Sequence, residues 1–192
     1  ATRRPEDLPR VRLTPEALRY RDVWTEGGEF IAGFSPAQPV VGVTQPSATR
    51  SCAWLGERLG RVCRLPTMYE WEKAARGVDA REFPWGDGFD DTFALIAETP
   101  AERRPATFFA LPGAFPIDRS PYGVLDLGGN VREWTSTPFG PEKRGFFKVK
   151  GASAATTRRS LYSAYTSDTP VVPTDIGFRY VVEMEAGGSG AM

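Results

Sequence analysis

Seventeen prolines and twenty glycines, spread along 192 residues, are the strongest constraint on what this chain can become. Proline removes a backbone donor and glycine punctuates regular structure, so long elements are confined to a few windows and irregular chain dominates. Two windows read as helices. Residues 46–60 place Cys52, Leu55 and Leu59 at spacings of three and four on one face and close on Gly60. Residues 67–77 set Thr67 and Glu70 at capping-box spacing, carry Trp71, Ala74 and Ala75 as an apolar stripe, and end on Gly77 as a left-handed stop.

The rest predicts short pieces. Phe146-Phe-Lys-Val-Lys and Ile176-Gly-Phe-Arg-Tyr-Val-Val read as strands, and residues 160–165 as another. Residues 11–21 are ambiguous, since Thr14-Pro15-Glu16 resembles a helix start with little behind it. Between Gly77 and Asp118 the prolines and aromatics predict anchored loops, with Trp85 as the buried anchor. With no internal repeat and no linker, the expected organisation is one domain: residues 1–38 as a lead-in packed on it, 39–185 as the body, and 186–192 as a flexible tail. The fold class is α+β.

Composition removes several functions. A 21.1 kDa chain with 41% hydrophobic and 25% charged residues can bury a core and is not a disordered composition. Its 24 basic residues balance 24 acidic ones, which leaves no footprint for nucleic acid or an acidic membrane. No segment has the apolar length of a membrane span, and Ala1-Thr-Arg-Arg-Pro-Glu lacks a signal-peptide core. The chain contains no histidine, so Ser-His-Asp triads, histidine metal sites and histidine acid/base chemistry are absent from it. Cys52 and Cys63 are its two cysteines, too few for a stapled scaffold or a four-thiolate zinc site. Gly86-Asp-Gly88 and Gly128-Gly129 match no phosphate-cradling fingerprint. Location in the cell stays open.

Four segments occur in one order: Arg64-Leu-Pro-Thr-Met-Tyr-Glu-Trp-Glu-Lys-Ala-Ala-Arg-Gly77, Phe83-Pro-Trp-Gly86, Tyr122-Gly-Val-Leu-Asp-Leu-Gly-Gly-Asn-Val-Arg-Glu-Trp-Thr135 and Ile176-Gly-Phe-Arg179. Together they resemble the formylglycine-generating enzyme, or sulfatase-modifying-factor, domain. That resemblance covers residues 39–182 and implies a loop-rich variant of the C-type lectin fold, with two helices and short antiparallel strands.

The resemblance implies a copper ion held by a cysteine pair in the segment before the terminal Gly-Phe-Arg, and oxidation of a sulfatase cysteine by oxygen. Here the segment beginning Lys150-Gly-Ala-Ser-Ala-Ala-Thr-Thr contains no cysteine, and Thr156 or its neighbours stand where the reactive thiol is expected. A threonine hydroxyl cannot replace a thiolate for a soft ion such as Cu(I). The chain is therefore expected to have no catalytic cofactor and not to be an enzyme. Cys52 and Cys63 read as core thiols rather than ligands.

Some members of this fold resembled by the chain are variable proteins of diversity-generating retroelements, whose C-terminal region is mutated and displayed to partners. Gly151, Ser153, Leu161, Ser163, Ala164 and Tyr165 resemble the constant frame of such a region. Ala155, Thr156, Thr157, Ser160, Tyr162, Thr166, Ser167 and Asp168 fall where it diversifies, and form the expected ligand-binding set. Tyrosine supplies contact area and a hydroxyl at low entropy cost, so Tyr162 and Tyr165 carry most of that expectation. The expected function is a non-catalytic ligand-binding protein whose partner is a protein or a glycan, and its balanced charge permits a monomer. The alternatives are an accessory or regulatory domain of the same family, with these residues as ordinary polar loop, and, more distantly, an oxygen-dependent modifying enzyme.

The resemblance also implies a structural calcium ion at Gly128-Gly-Asn-Val-Arg-Glu-Trp134, with Asn130 and Glu133 as side-chain ligands; hard oxygen donors suit that ion. The competing reading has Asn130 capping the turn and Glu133 pairing with an arginine. A second family calcium site falls at Ala94-Leu-Ile-Ala97, where Leu95 offers no ligand. Trp71, Trp85 and Trp134 are assigned to packing, and Arg179 to ordering loops through its fork of donors. Glu70 and Glu72 read as a cap and a solvated or paired helix residue, while Arg103-Arg104 and Arg158-Arg159 read as solvated doublets.

Overall fold

The structure, a computed structural model, describes residues 10–12, 20–22, 35–162 and 174–184. Most of the expected lead-in and the expected tail at 186–192 lie outside the described residues.

Helix α1 spans Gln45–Leu59. The Thr44 side chain accepts from Ser47 N, Pro46 occupies the first turn where no donor is missed, and Gly60, left-handed at φ 62, closes it. Its buried seam is Ala48, Cys52 and Gly56, spaced by four, and not the expected Cys52, Leu55, Leu59 stripe, because Leu59 is exposed. The reason is Gly56. A Cβ there would meet Cys63 N at 3.1 Å, so the missing side chain lets the returning strand lie directly on the helix and moves the seam by one residue.

Helix α2 spans Met68–Arg76 and has the predicted capping box, Thr67 with Glu70. Trp71 and Ala75 are its buried residues. Gly77 ends it at φ 68 and ψ −138, a conformation open to glycine but different from the left-handed stop expected.

The strands are short. Four of them come first: β1 (Arg10–Arg12), β2 (Tyr20–Asp22), β3 (Cys63–Arg64) and β4 (Arg132–Pro138). They are followed by β5 (Phe147–Lys150), β6 (Ile176–Gly177) and β7 (Val181–Val182). β4 is central, antiparallel to β5 and parallel to β6. β3 pairs with β7, and β1 with β2, both antiparallel. The ambiguous 11–21 segment thus contributes to a hairpin-like pair. The single strand expected at 176–182 is two strands in two sheets. Residues 160 and 161 of the strand expected at 160–165 belong instead to a 3-10 turn (Arg158–Leu161), and 163–165 lie outside the described residues.

Packing follows these elements. Ala48 and Cys52 of α1 meet Leu65, Trp134, Val149 and Ile176, while Trp71 and Ala75 of α2 meet Leu127. In the long loop the buried aromatics are Phe83, Phe109 and Phe115, not Trp85, which is half-buried and stacked on Phe83 with ring centroids 5.2 Å apart. Trp134 and Trp71 are buried, as expected of packing residues.

Candidate functional site

The segment that follows β5 is fixed at its base. Ala152 N and Ala154 N donate to Gly128 O and Asn130 O at 2.9 and 3.1 Å, which fastens the segment to the glycine turn. At the far end the buried Asp175 carboxylate takes both arms of Arg132, at 2.9 and 2.6 Å, and the Ser153 hydroxyl. One carboxylate thereby ties residue 153 to residue 175. The frame residues Gly151, Ser153 and Leu161 are buried; Ser163, Ala164 and Tyr165 lie outside the described residues.

Of the residues expected to meet a ligand, Ala155, Thr157 and Tyr162 face outward. Thr156 is half-buried and turned back, its hydroxyl accepting from Ser153 N at 2.7 Å, and Ser160 is buried. Thr166, Ser167 and Asp168 lie outside the described residues.

Tyr162 does not stand alone. Its ring lies 5.1 Å from Phe83, which also contacts Trp85 and, at 6.2 Å, Phe89. Phe89 is 40% exposed and Tyr162 43%, and the Arg158 guanidinium lies 5.6 Å from the Phe89 ring. Sequence reasoning missed Phe89; its place between Gly88 and Asp90 carries no periodic signal. Arg104, expected to be solvated, instead donates to Thr99 O, Ile96 O and Ala97 O, because three carbonyls of that tight turn point at one guanidinium.

Glu133 is buried and fully engaged. Arg179 holds it with two bonds, Nε to Oε2 at 2.6 Å and Nη2 to Oε1 at 2.7 Å, and Trp71 Nε1 donates to Oε2 at 2.6 Å. Arg179 also donates to Leu125 O and Asp126 O, so it orders the neighbouring loop. Asn130, left-handed at φ 71, exchanges two hydrogen bonds with the backbone of Ala110. The side-chain oxygens of Asn130 and Glu133 therefore go to separate partners. A calcium ion using both would have to displace the guanidinium and break the Ala110 pairing, so this donor set, as arranged, does not fit an added cation. At the second family position Leu95 is a core residue.

Asp118 is, besides Asp175, a second buried carboxylate that sequence reasoning did not single out. It accepts from Gly128 N at 2.8 Å and Gly129 N at 2.9 Å. Burial pushes its pKa up to about 7 against those two donors, with Asp126 adding to the shift. Lys150, fully buried, reaches Glu72 at 3.3 Å, and Glu72 also pairs with Arg76 at 2.9 Å; burial lowers the lysine's pKa.

Both thiols are buried. Burial, with Cys63 as neighbour, raises the Cys52 thiol to about 11, favouring the protonated form over the thiolate a copper ion needs. The groups at the expected copper position, Ser153 and Thr156, are hydroxyls already hydrogen-bonded within the segment. These residues do not fit a Cu(I) site. Among the described residues no three His, Cys, Asp or Glu side chains group as metal ligands do.

Two helices, short mixed strands and long loops pinned by buried charges define an α+β scaffold of the formylglycine-generating type. The chain belongs to the sulfatase-modifying-factor family: residues 21–184 match the "Sulfatase-modifying factor enzyme 1-like domain". It is 31% identical over 153 residues to "Inactive C-alpha-formylglycine-generating enzyme 2" of Mus musculus, covering 73% of this chain and 48% of that protein. It is 39% identical over 112 residues to the "Formylglycine-generating enzyme" of Mycobacterium tuberculosis, covering 55% and 36%. The chain thus spans about half or less of these relatives. Among solved structures, PvdO from Pseudomonas aeruginosa superposes with TM-score 0.69 at 21% identity, covering 93% of this chain and 72% of that one. "Treponema denticola variable protein 1" superposes with TM-score 0.64 at 16% identity, covering 82% and 76%. Both structural likenesses concern the fold. No helix among the described residues is long and apolar enough to cross a membrane.

Proposed function

We propose that this chain is a non-catalytic member of the sulfatase-modifying-factor family, acting as an accessory or regulatory domain. The observation that carries the proposal is the placement of sulfur. Cys52 and Cys63 are the chain's two cysteines and both are buried, one on α1 and one in β3, whereas the segment before Ile176-Gly-Phe-Arg presents hydroxyls. A thiolate pair is the chemistry that the copper-dependent reaction needs, and this segment lacks it. The similarity to a mouse relative named as inactive supports the same reading, while the similarity to an active mycobacterial enzyme makes the test necessary. Titrating the chain with Cu(I) under a competing chelator, and incubating it with oxygen and a cysteine-containing peptide, is the direct experiment. The expected result is no tight copper binding and no loss of peptide thiol; turnover would sink the proposal.

A second reading is a ligand-binding protein with a diversified C-terminal surface, favoured by the outward stance of Ala155, Thr157 and Tyr162 on a base clamped by Asp175. Sequencing many copies of the gene from one population tests it. Substitutions concentrated at 155–168, with Gly151 and Leu161 constant and a template repeat nearby, are what this reading requires; uniform sequence without a repeat would remove it.

A further inference from the structure

We infer that the face formed by Phe89 and Tyr162 docks a basic peptide segment, one arginine or lysine of which sits against the two rings. The inference rests on the non-catalytic reading of this chain. Three observations carry it.

The first is the floor. Phe83 is buried and fixed, stacked on Trp85, and it supports two partly exposed rings from different parts of the chain: Phe89 at 6.2 Å and Tyr162 at 5.1 Å. The supported rings are tilted against Phe83 by 51° and 35°, so neither lies flat on it, and this pair of tilted rings, the proposed notch, is not a flat stacking platform for a sugar ring.

The second is charge. The chain is neutral as a whole, yet residues 79–98, which carry Phe83, Trp85 and Phe89, hold six carboxylates against one arginine. Asp87, Asp90 and Asp91 flank Phe89 in sequence. Asp90 accepts from Thr92 and Asp87 from Glu82 N, contacts that leave both negative charges in place. Aromatic faces and carboxylates both attract cations, so the complementary partner is basic.

The third is an occupant already present. Arg158, exposed, lays its guanidinium 5.6 Å from the Phe89 ring, while its backbone N–H donates to the Glu98 carboxylate. The chain's own arginine already lies against one of the two rings, and a partner's arginine would compete with it for Phe89.

The test uses the intact chain and a fluorescein-labelled peptide with three arginines spaced by glycine and serine, against a matched peptide with glutamate in their place, read by anisotropy. The arginine peptide is expected to bind, less tightly as salt rises, and the glutamate peptide not to bind. Phe89→Ala and Tyr162→Ala each weaken the complex about two- to fivefold, the loss of one exposed cation–ring contact. Arg158→Ala tightens it, because the internal competitor is gone. Asp91→Asn, which alters only charge, weakens it and serves where an aromatic variant melts early. Failure of the arginine peptide to bind, weaker binding in Arg158→Ala, or binding of an oligosaccharide panel in place of the peptide would each overturn the inference. The copper and peptide-thiol assay stays separate: turnover there removes the non-catalytic reading, whereas a silent notch with no turnover removes only this inference.

Discussion

Arg179 grips Glu133 through two near-parallel bonds of 2.6 and 2.7 Å, and the same carboxylate takes the Trp71 indole at 2.6 Å. The pair joins the segment after β6 to β4 and to α2. Removing one partner strands a buried charge, the costly direction for an ion pair. Arg179→Met is expected to lower stability by about 3–5 kcal/mol, measured as the shift in urea unfolding free energy. A loss under about 1 kcal/mol would mean that water reaches Glu133.

Lys150 offers the opposite case within the same layer. It is buried beside Trp71, and its partner Glu72 keeps a second cation, Arg76, when the lysine is removed. Lys150→Met retains most of the volume and abolishes the cost of burying an ammonium. Its stability is expected within about 1 kcal/mol of the parent, or above it. A loss as large as that of Arg179→Met would show that the ammonium itself organises the layer.

Asp118 sets a pH dependence. Its carboxyl is fully buried and titrates near 7 in the fold, raised from an ordinary 3.8 mainly by desolvation. A raised folded pKa means that the native state holds the proton more tightly than the unfolded chain. The associated stability is fully present below about pH 4 and is lost as pH rises to about 7. Urea midpoints measured from pH 5 to pH 8 should therefore fall, by on the order of a few kcal/mol in free energy, and Asp118→Asn should flatten that slope. A slope unchanged in Asp118→Asn would assign it to another group.

The glycine turn that Asp118 holds leaves no room for side chains. A Cβ on Gly129 would lie 2.6 Å from Leu95 O and 2.8 Å from Leu95 N, both backbone atoms in a buried loop. Neither can give way without moving the chain. Gly129→Ala is expected to cost about 3 kcal/mol or more and to lower soluble yield, whereas Gly88→Ala, where no atom lies within 4 Å, should be tolerated. Equal melting temperatures for the two variants would contradict the close approach.

The elements legible in sequence were those whose causes are local. The Thr67 and Glu70 cap, the Gly60 stop and the strand at Phe147–Lys150 depend on residues within a turn or two of each other. What stayed hidden depends on contacts distant in sequence. Gly56 shifts the α1 seam only because Cys63 returns onto it, and the strand expected at 176–182 divides because β4 and β3 each claim one end. The family resemblance, drawn from four ordered motifs, supplied the topology that periodicity could not. At the candidate site, the expectation for Tyr162 came from its position in the C-terminal segment, while Phe89 became visible only when Phe83 was found beneath both rings.

The same distinction gives a chemical test of the non-catalytic reading. Cys52 lies on the buried seam of α1 with its thiol raised to about 11, and Cys63 is buried beside Gly56. A thiol needs both exposure and ionisation to attack a disulfide reagent, and Cys52 has neither near neutral pH. Ellman's reagent added to the folded chain at pH 8 is expected to find no rapidly reacting thiol, and to find two once urea unfolds it. Alkylation under the same native conditions should likewise leave both cysteines unmodified by mass spectrometry. One fast thiol in the folded state would place a reactive sulfur at the surface, and would turn the balance toward the copper-dependent chemistry that the hydroxyl-lined segment argues against.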